Sequence, residues 1–87
     1  MPEADIRVLY FAWLRERTGR SEESVTPPAD VTTVGDLITW LSRQSPGHAA
    51  ALTERSVRCA VNQDFADQKT PLKPGDEVAF FPPVTGG

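Results

Sequence analysis

The sequence is poor in the residues that most often build catalytic and metal sites. It has one cysteine, Cys59, and one histidine, His48. A single cysteine cannot form an internal disulfide bond, and a single histidine has no second histidine or cysteine at metal-ligand spacing. We therefore interpret Cys59, at an inward strand position, as a core thiol, and His48 as a solvated loop residue. No metal site is predicted.

Long apolar runs and an excess of positive charge are also missing. No apolar run is long enough to cross a bilayer, and the amino terminus MPEADIRVLY lacks the basic segment and apolar run of a signal peptide. Nine Lys and Arg face twelve Asp and Glu, which gives a formal net charge of -3. This balance disfavours generic binding to nucleic acid or to an anionic membrane. We expect a cytoplasmic protein that binds a protein or a small molecule.

Nucleotide-binding glycine motifs are absent as well. There is neither a P-loop nor a G-x-G-x-x-G motif, so any nucleotide pocket belongs to another chain. The acidic pairs Glu22-Glu23 and Asp76-Glu77 are interpreted as solvated charge, and Trp13 and Trp40 as packing residues. The sequence thus contains no constellation of side chains that predicts catalysis.

Hydrophobic periodicity predicts two strands and then a helix in the first half of the chain. DIRVLYFAWL alternates as a strand, a polar turn follows at RERTGRSEES, and ESVTPP is a short strand that pairs with the first as a hairpin. TTVGDLITWLSRQSPG then shows helical spacing. Thr33 is placed to cap this helix, with Asp36 as in a capping box. Its apolar stripe comprises Val34, Leu37, Ile38 and Leu41.

The second half predicts two more strands. HAAAL adds a brief helical turn, and SVRCAVNQ alternates as a third strand. The ending KPGDEVAFFPP is a turn followed by a last strand, with Val78 and Phe80 on one face and Phe81 on the other. The order strand, strand, helix, strand, strand predicts a single α+β domain over residues 1–87, in which the helix crosses one face of a mixed sheet.

Large apolar side chains fall on the predicted solvent face of this sheet. If Arg7 and Glu77 mark that face, Leu9, Phe11 and Phe81 share it. Aromatic side chains on neighbouring strands form the kind of patch that binds proteins. The alternatives are an inverted strand phase or a loop that covers this face.

The chain ends in FFPPVTGG, and this ending raises a question of its own. Glycine loses much conformational entropy when it is ordered, and it has no side chain that could pack. A terminal pair of glycines is therefore either without function or a stretch of backbone that enters a narrow space. Pro82 and Pro83 favour a stiff, extended start. The tail of residues 82–87 spans roughly 20 Å when fully extended, which is enough to reach a buried site on a partner.

Three stretches, GDEVAFFPPVTGG, CAVNQ and VLYFAWLRERTG, resemble the small, sulfur-carrying subunits of molybdopterin synthases, members of the ubiquitin-like β-grasp group. The resemblance covers nearly the whole chain and implies a mixed sheet of four to five strands with one main helix. It also implies that an ATP-dependent activating enzyme adenylates the carboxyl group of Gly87. A sulfur donor protein then converts it to a thiocarboxylate, whose sulfur goes to a cyclic pyranopterin precursor to form molybdopterin.

The same resemblance implies the partner and the residues that meet it. The tail inserts into the large synthase subunit, and this chain binds no cofactor itself, because the ATP is used by the activating enzyme. Gly86 provides a thin tip that can be threaded, and Phe65 joins Phe11 and Phe81 in the patch. The remaining residues expected to bind the partner are Pro82, Pro83, Val84 and Thr85.

Three other functions fit parts of the sequence. A thiamine-pathway sulfur carrier has the same fold, ending and chemistry, and differs in its large partner. A ubiquitin-like modifier would use the activated carboxylate to form isopeptide bonds with lysines. A plain β-grasp binding module would carry the two glycines as a disordered tail. The ending FFPPVTGG favours the molybdopterin pathway.

Overall fold

The computed structural model of the chain describes residues 5–54 and 56–83. These residues form a five-stranded sheet and three helices whose buried side chains share one core with the sheet. The elements in chain order are β1 (Ile6–Tyr10), α1 (Trp13–Thr18), β2 (Glu22–Val25), α2 (Val34–Ser42), α3 (Pro46–Leu52), β3 (Arg58–Val61), β4 (Asp64–Ala66) and β5 (Glu77–Phe81).

The strand that leads to the C-terminus lies in the middle of the sheet. The strand order is β2-β1-β5-β3-β4. β5 pairs in parallel with β1 and antiparallel with β3, while β2 and β4 form the edges through antiparallel pairs. The predicted α+β fold with a mixed sheet is confirmed, and β4 is a strand that periodicity did not predict.

The core lies between the inner face of the sheet and the helices. Alternate residues of the two central strands are buried, as are α1 and α2 side chains that pack against them. This burial pattern confirms the predicted strand phases and the predicted apolar stripe of α2. Full burial of such a side chain contributes about 1.5–3 kcal/mol to stability. The buried residues of β1, β5, α1 and α2 are Ile6, Val8, Tyr10, Val78, Phe80, Leu14, Val34, Leu37 and Leu41.

The start of α2 follows the predicted capping pattern with one shift. The Thr33 hydroxyl accepts a hydrogen bond from the Asp36 N–H at 3.2 Å, and the Asp36 carboxylate accepts one from the Thr32 N–H at 3.1 Å. The carboxylate therefore reaches the residue before the cap and not the cap itself. The hydrogen bond from the Thr32 backbone, followed by that from Thr33, lowers the pKa of Asp36.

The prediction of a polar turn at RERTGRSEES was wrong, because α1 occupies the first part of this stretch. Ala12, with φ 57° and ψ −132°, turns the chain sharply after β1, and Gly19, with φ 79°, ends the helix in the left-handed conformation. Only Leu14 of α1 is buried. Six residues with one buried side chain give almost no helical periodicity. β1 and β2 do pair antiparallel, but a helix connects them.

The interpretation of His48 as a solvated loop residue was also wrong. His48 lies in α3 and is 5% exposed, and its Nε2 is 2.9 Å from the Glu23 carboxylate, which is also largely buried. Asp76 is 8% exposed and accepts a hydrogen bond from the Lys73 N–H at 2.8 Å. Glu23 and Asp76 are therefore not solvated charge. His48 is 25 positions from Glu23, and Asn62, a second hydrogen-bond donor to Asp76, is 14 positions from it, so local sequence patterns do not reveal these partners.

Candidate partner-binding face and tail

Three phenylalanines stand on the face of the sheet opposite the core. Phe65 on β4 is 84% exposed, and Phe11, just after β1, is 49% exposed. Phe81 at the end of β5 is half-buried, and its ring centroid lies 6.1 Å from that of Phe65. The burial of Val8 and Phe80 on the opposite face excludes an inverted strand phase. The high exposure of Phe65 shows that no described loop covers it.

The sheet register extends this apolar surface across four strands. Leu9 pairs with Ala79, Ala79 with Ala60, and Ala60 with Phe65. Two alanines, with small side chains, thus lie between the larger side chains of Leu9 and Phe65. The Phe11 N–H donates to the Phe80 carbonyl at 3.1 Å. This bond continues the parallel pairing of β1 and β5, so that Phe11 lies beside Phe81. We call the surface formed by Leu9, Phe11, Ala60, Phe65, Ala79 and Phe81 the docking face.

Charged side chains bound the docking face on one side. Arg7 lies two residues before Leu9, and its guanidinium is 3.1 Å from a Glu22 oxygen and 3.8 Å from a Glu77 oxygen. Arg7 and Glu22 are about half exposed, so each ion pair contributes less than about 1 kcal/mol to stability. An apolar centre with a charged rim is typical of a protein interface.

The hairpin between β3 and β4 is held by residues that the sequence patterns did not single out for function. Its two connecting residues have positive φ angles, 51° for Asn62 and 73° for Gln63. The Asn62 side chain donates to the Asp76 carboxylate at 3.0 Å and accepts from the Glu77 N–H at 3.0 Å. An asparagine at the first position of a two-residue hairpin loop is the signal that could have indicated this turn.

The tail begins beside the docking face. β5 ends at Phe81 and is followed by the half-buried Pro82 and Pro83, which belong to no strand or helix. The other predicted tail residues, Val84, Thr85, Gly86 and Gly87, lie outside the described residues, and their roles stay predictions. The same holds for the partner-binding roles of Phe11, Phe65 and Phe81, although their predicted positions on one face are confirmed.

Comparison with known proteins identifies the relatives of this fold. The model of the ThiS family matches residues 8–87. The chain belongs to the ThiS family. It is 46% identical to the molybdopterin synthase sulfur carrier subunit of Escherichia coli K12, over 94% of this chain and 99% of that protein. The resemblance inferred from the sequence is thereby confirmed.

Solved structures similar to this ThiS-family chain have the same fold. The crystal structure of the H. volcanii small archaeal modifier protein 1 has a TM-score of 0.77 and 28% identity, and covers 93% of this chain and 99% of that chain. A chain in the complex of subunits 1 and 2 of the molybdopterin-converting factor from Helicobacter pylori 26695 has a TM-score of 0.66 and 23% identity. The match covers 95% of this chain and 99% of that chain. The latter likeness shows the fold alone.

Away from the docking face, this ThiS-family chain contains a buried polar network. The Tyr10 hydroxyl donates to a Glu23 oxygen at 2.6 Å, and His48 Nδ1 is 2.8 Å from the Ser45 hydroxyl. Burial alone would raise the pKa of Glu23, but hydrogen bonds from Tyr10 and His48 outweigh it and lower that pKa. Burial raises the pKa of Tyr10, and its hydrogen bond to Glu23 adds to this. The network joins β1, β2 and α3.

Cys59 lies on the inner face of β3, as predicted. The side chain is buried, and burial raises the pKa of its thiol, with a further contribution from Asp67. Such a thiol is a poor nucleophile, because the thiolate is the reactive form. Within residues 5–54 and 56–83, no three His, Cys, Asp or Glu side chains are arranged to hold a metal ion. Nor is any helix in these ranges long and apolar enough to cross a membrane.

Proposed function

We propose that this chain carries sulfur as a thiocarboxylate on Gly87 for the synthesis of molybdopterin, as the small subunit of a molybdopterin synthase. The observation that carries the proposal is the 46% identity to the E. coli sulfur carrier subunit, over nearly the full length of both proteins. The docking face supports it, because the strand that bears Phe81 runs directly into the tail. The chemistry then takes place on the backbone terminus.

The carboxyl group of Gly87 needs activation before it can accept sulfur. An α-carboxyl group has a pKa of about 3.5, so near neutral pH it is an anion and a poor electrophile. In the proposed reaction, a carboxylate oxygen attacks the α-phosphorus of ATP on a separate activating enzyme, and pyrophosphate leaves. A donor that supplies sulfur at the oxidation level of sulfide attacks the acyl carbon, and AMP leaves with the electron pair of the C–O bond. The product is a thiocarboxylate.

Delivery of the sulfur requires a second binding event. We propose that the docking face binds the large synthase subunit and that the tail of residues 82–87 enters that subunit's active site. The thiocarboxylate sulfur then attacks a carbon of the cyclic pyranopterin precursor, where a C–O bond breaks and the oxygen leaves with the electron pair. Water attacks the acyl carbon, the acyl C–S bond breaks, and the sulfur stays on the precursor while the carboxylate of Gly87 is regenerated. Glycine leaves the acyl carbon unobstructed, since it has no Cβ. We place these events in the cytoplasm.

Intact-mass measurement tests the activation step. The full-length chain is incubated with ATP, the activating enzyme and sulfide, and we expect a mass increase equal to the replacement of one oxygen by sulfur. A chain that lacks Gly87 serves as the matched control and should gain no sulfur. Adding the large subunit and the precursor should return the mass to its starting value. Failure of the full-length chain to gain sulfur, while a known carrier does so in parallel, would contradict the proposal.

A protein modifier is the second candidate, and the likeness to the small archaeal modifier protein 1 favours it. The same activated carboxyl group would then react with lysine amines, with loss of AMP. Incubation of the activated chain in an extract from its own organism, followed by detection of the chain, separates the two functions. Bands of higher mass that resist denaturant and thiol reagents indicate a modifier. Free thiocarboxylate and molybdopterin production indicate a carrier.

A further inference from the structure

The exposed ring of Phe65 receives little support from the core. It is 84% exposed, and its ring lies 6.1 Å, between centroids, from the ring of Phe81, which is also on the docking face. β4 is a three-residue edge strand that pairs with β3 alone. The position of Phe65 therefore depends on the β3–β4 hairpin and on whatever fixes that hairpin to the sheet.

The hairpin turn is costly in itself. β3 ends at Val61 and β4 begins at Asp64, so Asn62 and Gln63 form a two-residue loop with both φ angles positive. Such a type I′ turn prefers glycine at its second position, where this chain has glutamine. A left-handed conformation costs a residue other than glycine roughly 1–2 kcal/mol. The turn needs contacts outside the loop to be held in place.

Asn62 supplies those contacts to β5 and to the loop before it. Its N–H donates to the Glu77 carbonyl at 2.7 Å, and its side-chain carbonyl accepts from the Glu77 N–H, so the amide extends the β3–β5 ladder beyond Val61. Its side-chain N–H donates to Asp76, whose other oxygen accepts from Lys73. The Asp76 carbonyl also accepts from the Arg7 N–H at 3.0 Å on β1. Asp76 thus connects the turn to the loop before β5 through its buried carboxylate, and to β1 through its backbone carbonyl.

We propose that Asn62 and Asp76 are positioning residues for partner binding, which hold the β3–β4 hairpin so that Phe65 stands on the docking face. This inference rests on the proposed function, since it assumes that Phe65 meets the large subunit. Both residues act through Phe65 and need not touch the partner. A purely structural pair would alter the stability of the chain and leave its affinity for the partner unchanged.

The test is a double-mutant cycle in the full chain, with affinity for the large synthase subunit of the same organism measured by calorimetry. A buried aromatic at the centre of an interface is typically worth at least about thirtyfold in affinity, so Phe65→Ala should weaken binding by that amount. Asn62→Gly keeps the positive φ and removes the side-chain bridge, and we expect about tenfold weaker binding. In the Phe65→Ala background it should change affinity by less than about twofold, because coupled residues are not additive.

Two further variants separate positioning from loss of folding. Gln63→Gly eases the turn without touching the bridge and should leave affinity unchanged. Asn62→Asp places two carboxylates against each other, whereas combining it with Asp76→Asn restores an acceptor for Glu77, a donor between the two side chains and an acceptor for Lys73. We expect the double swap to recover most of the affinity that Asn62→Asp loses. Unfolding curves for each variant fix the temperature at which all are folded.

The outcomes are distinct. If Phe65→Ala does not weaken binding, the docking face, and with it the proposed assembly, is wrong. If Phe65→Ala weakens binding while Asn62→Gly does not, or if their effects simply add, the positioning role is wrong and the proposed function stands. If the double swap folds but fails to recover affinity, the bridge does not position Phe65.

Discussion

The rings of Phe65 and Phe81 lie 6.1 Å apart between centroids and are tilted by 53°, on the side of the sheet away from the core. The two residues come from β4 and β5, which are separated in the sheet by β3. They approach across Ala60, which pairs with both Phe65 and Ala79. The small side chain of Ala60 lets the two rings come within the separation of about 4.5–7 Å that is typical of interacting aromatic pairs, so that they present one continuous apolar surface.

Neighbouring residues on β5 should respond oppositely to substitution. Phe80 is fully buried, and Phe80→Ala should lower the free energy of unfolding by about 3–5 kcal/mol. Phe81→Asp should weaken binding to the large subunit with a loss of stability below about 1 kcal/mol, because this side chain lies on the outer face. Denaturant unfolding and calorimetric titration measure the two effects. Large destabilisation by Phe81→Asp with unchanged binding would contradict the docking face.

Gly86 separates a threaded tail from a merely flexible one. A flexible tail tolerates any small residue, but a narrow channel or a positive φ penalises every Cβ. We expect Gly86→Val to slow sulfur delivery sharply and Gly86→Ala to fall between Val and Gly. A displacement of the acyl carbon by about 1 Å can cost on the order of a hundredfold in rate. Single-turnover reactions with preloaded carrier give these rates, and equal rates for all three residues would exclude threading.

Glu23 should make stability depend on pH in the acid range. Its pKa is lowered on folding, so its contribution is present above the pKa of the unfolded chain, about 4.3, and is lost as the pH falls through the lower folded pKa. Glu23→Gln should therefore cost about 1–3 kcal/mol at about pH 7 and less at about pH 3, which lies below the unfolded pKa. The adjacent Glu22→Gln, on the surface, should cost less than about 1 kcal/mol. Urea unfolding at both pH values compares them.

Gly47 marks the close approach of α3 to α1. A Cβ on this residue would overlap the carbonyl oxygen of Arg17, which is backbone and cannot rotate away. Gly47→Ala should therefore lower the free energy of unfolding by about 1–3 kcal/mol. Gly35→Ala is the control, since its Cβ would lie 3.1 Å from the Gln68 carbonyl oxygen and alanine favours the helix. Thermal unfolding that ranks Gly35→Ala as the more damaging would contradict this packing.

Four of the five strands and α2 could be predicted from the sequence because their information is local, whereas the three-residue β4 is too short to show a pattern. The alternation of Val8 and Tyr10 with Leu9 marks the two faces of β1 wherever the strand lies. A mid-chain stretch with helical spacing and a cap at Thr33 likewise identifies α2. From two correct strand phases, the outward position of Phe81 followed directly.

What could not be predicted depends on contacts between distant residues. His48 and Glu23 are 25 positions apart, and the sequence around each residue does not indicate that the two side chains pack together and become buried. The same applies to Asn62 and Asp76, which are 14 positions apart. The sharp turn at Ala12 has φ 57°, a value that favours glycine, so nothing in alanine indicated it. α1 was missed for the related reason that its one buried leucine makes no pattern.

The central place of β5 also determines how the domain would bear a mechanical load. A pull on the chain beyond Pro83 acts along a strand that is hydrogen-bonded to β1 on one side and to β3 on the other. β1 runs parallel to β5, so a force along β5 loads the backbone hydrogen bonds between these two strands in shear. Several of these bonds must therefore break together before β5 can slide past β1. When the tail is pulled out of a partner that holds the terminus tightly, this domain can therefore remain folded.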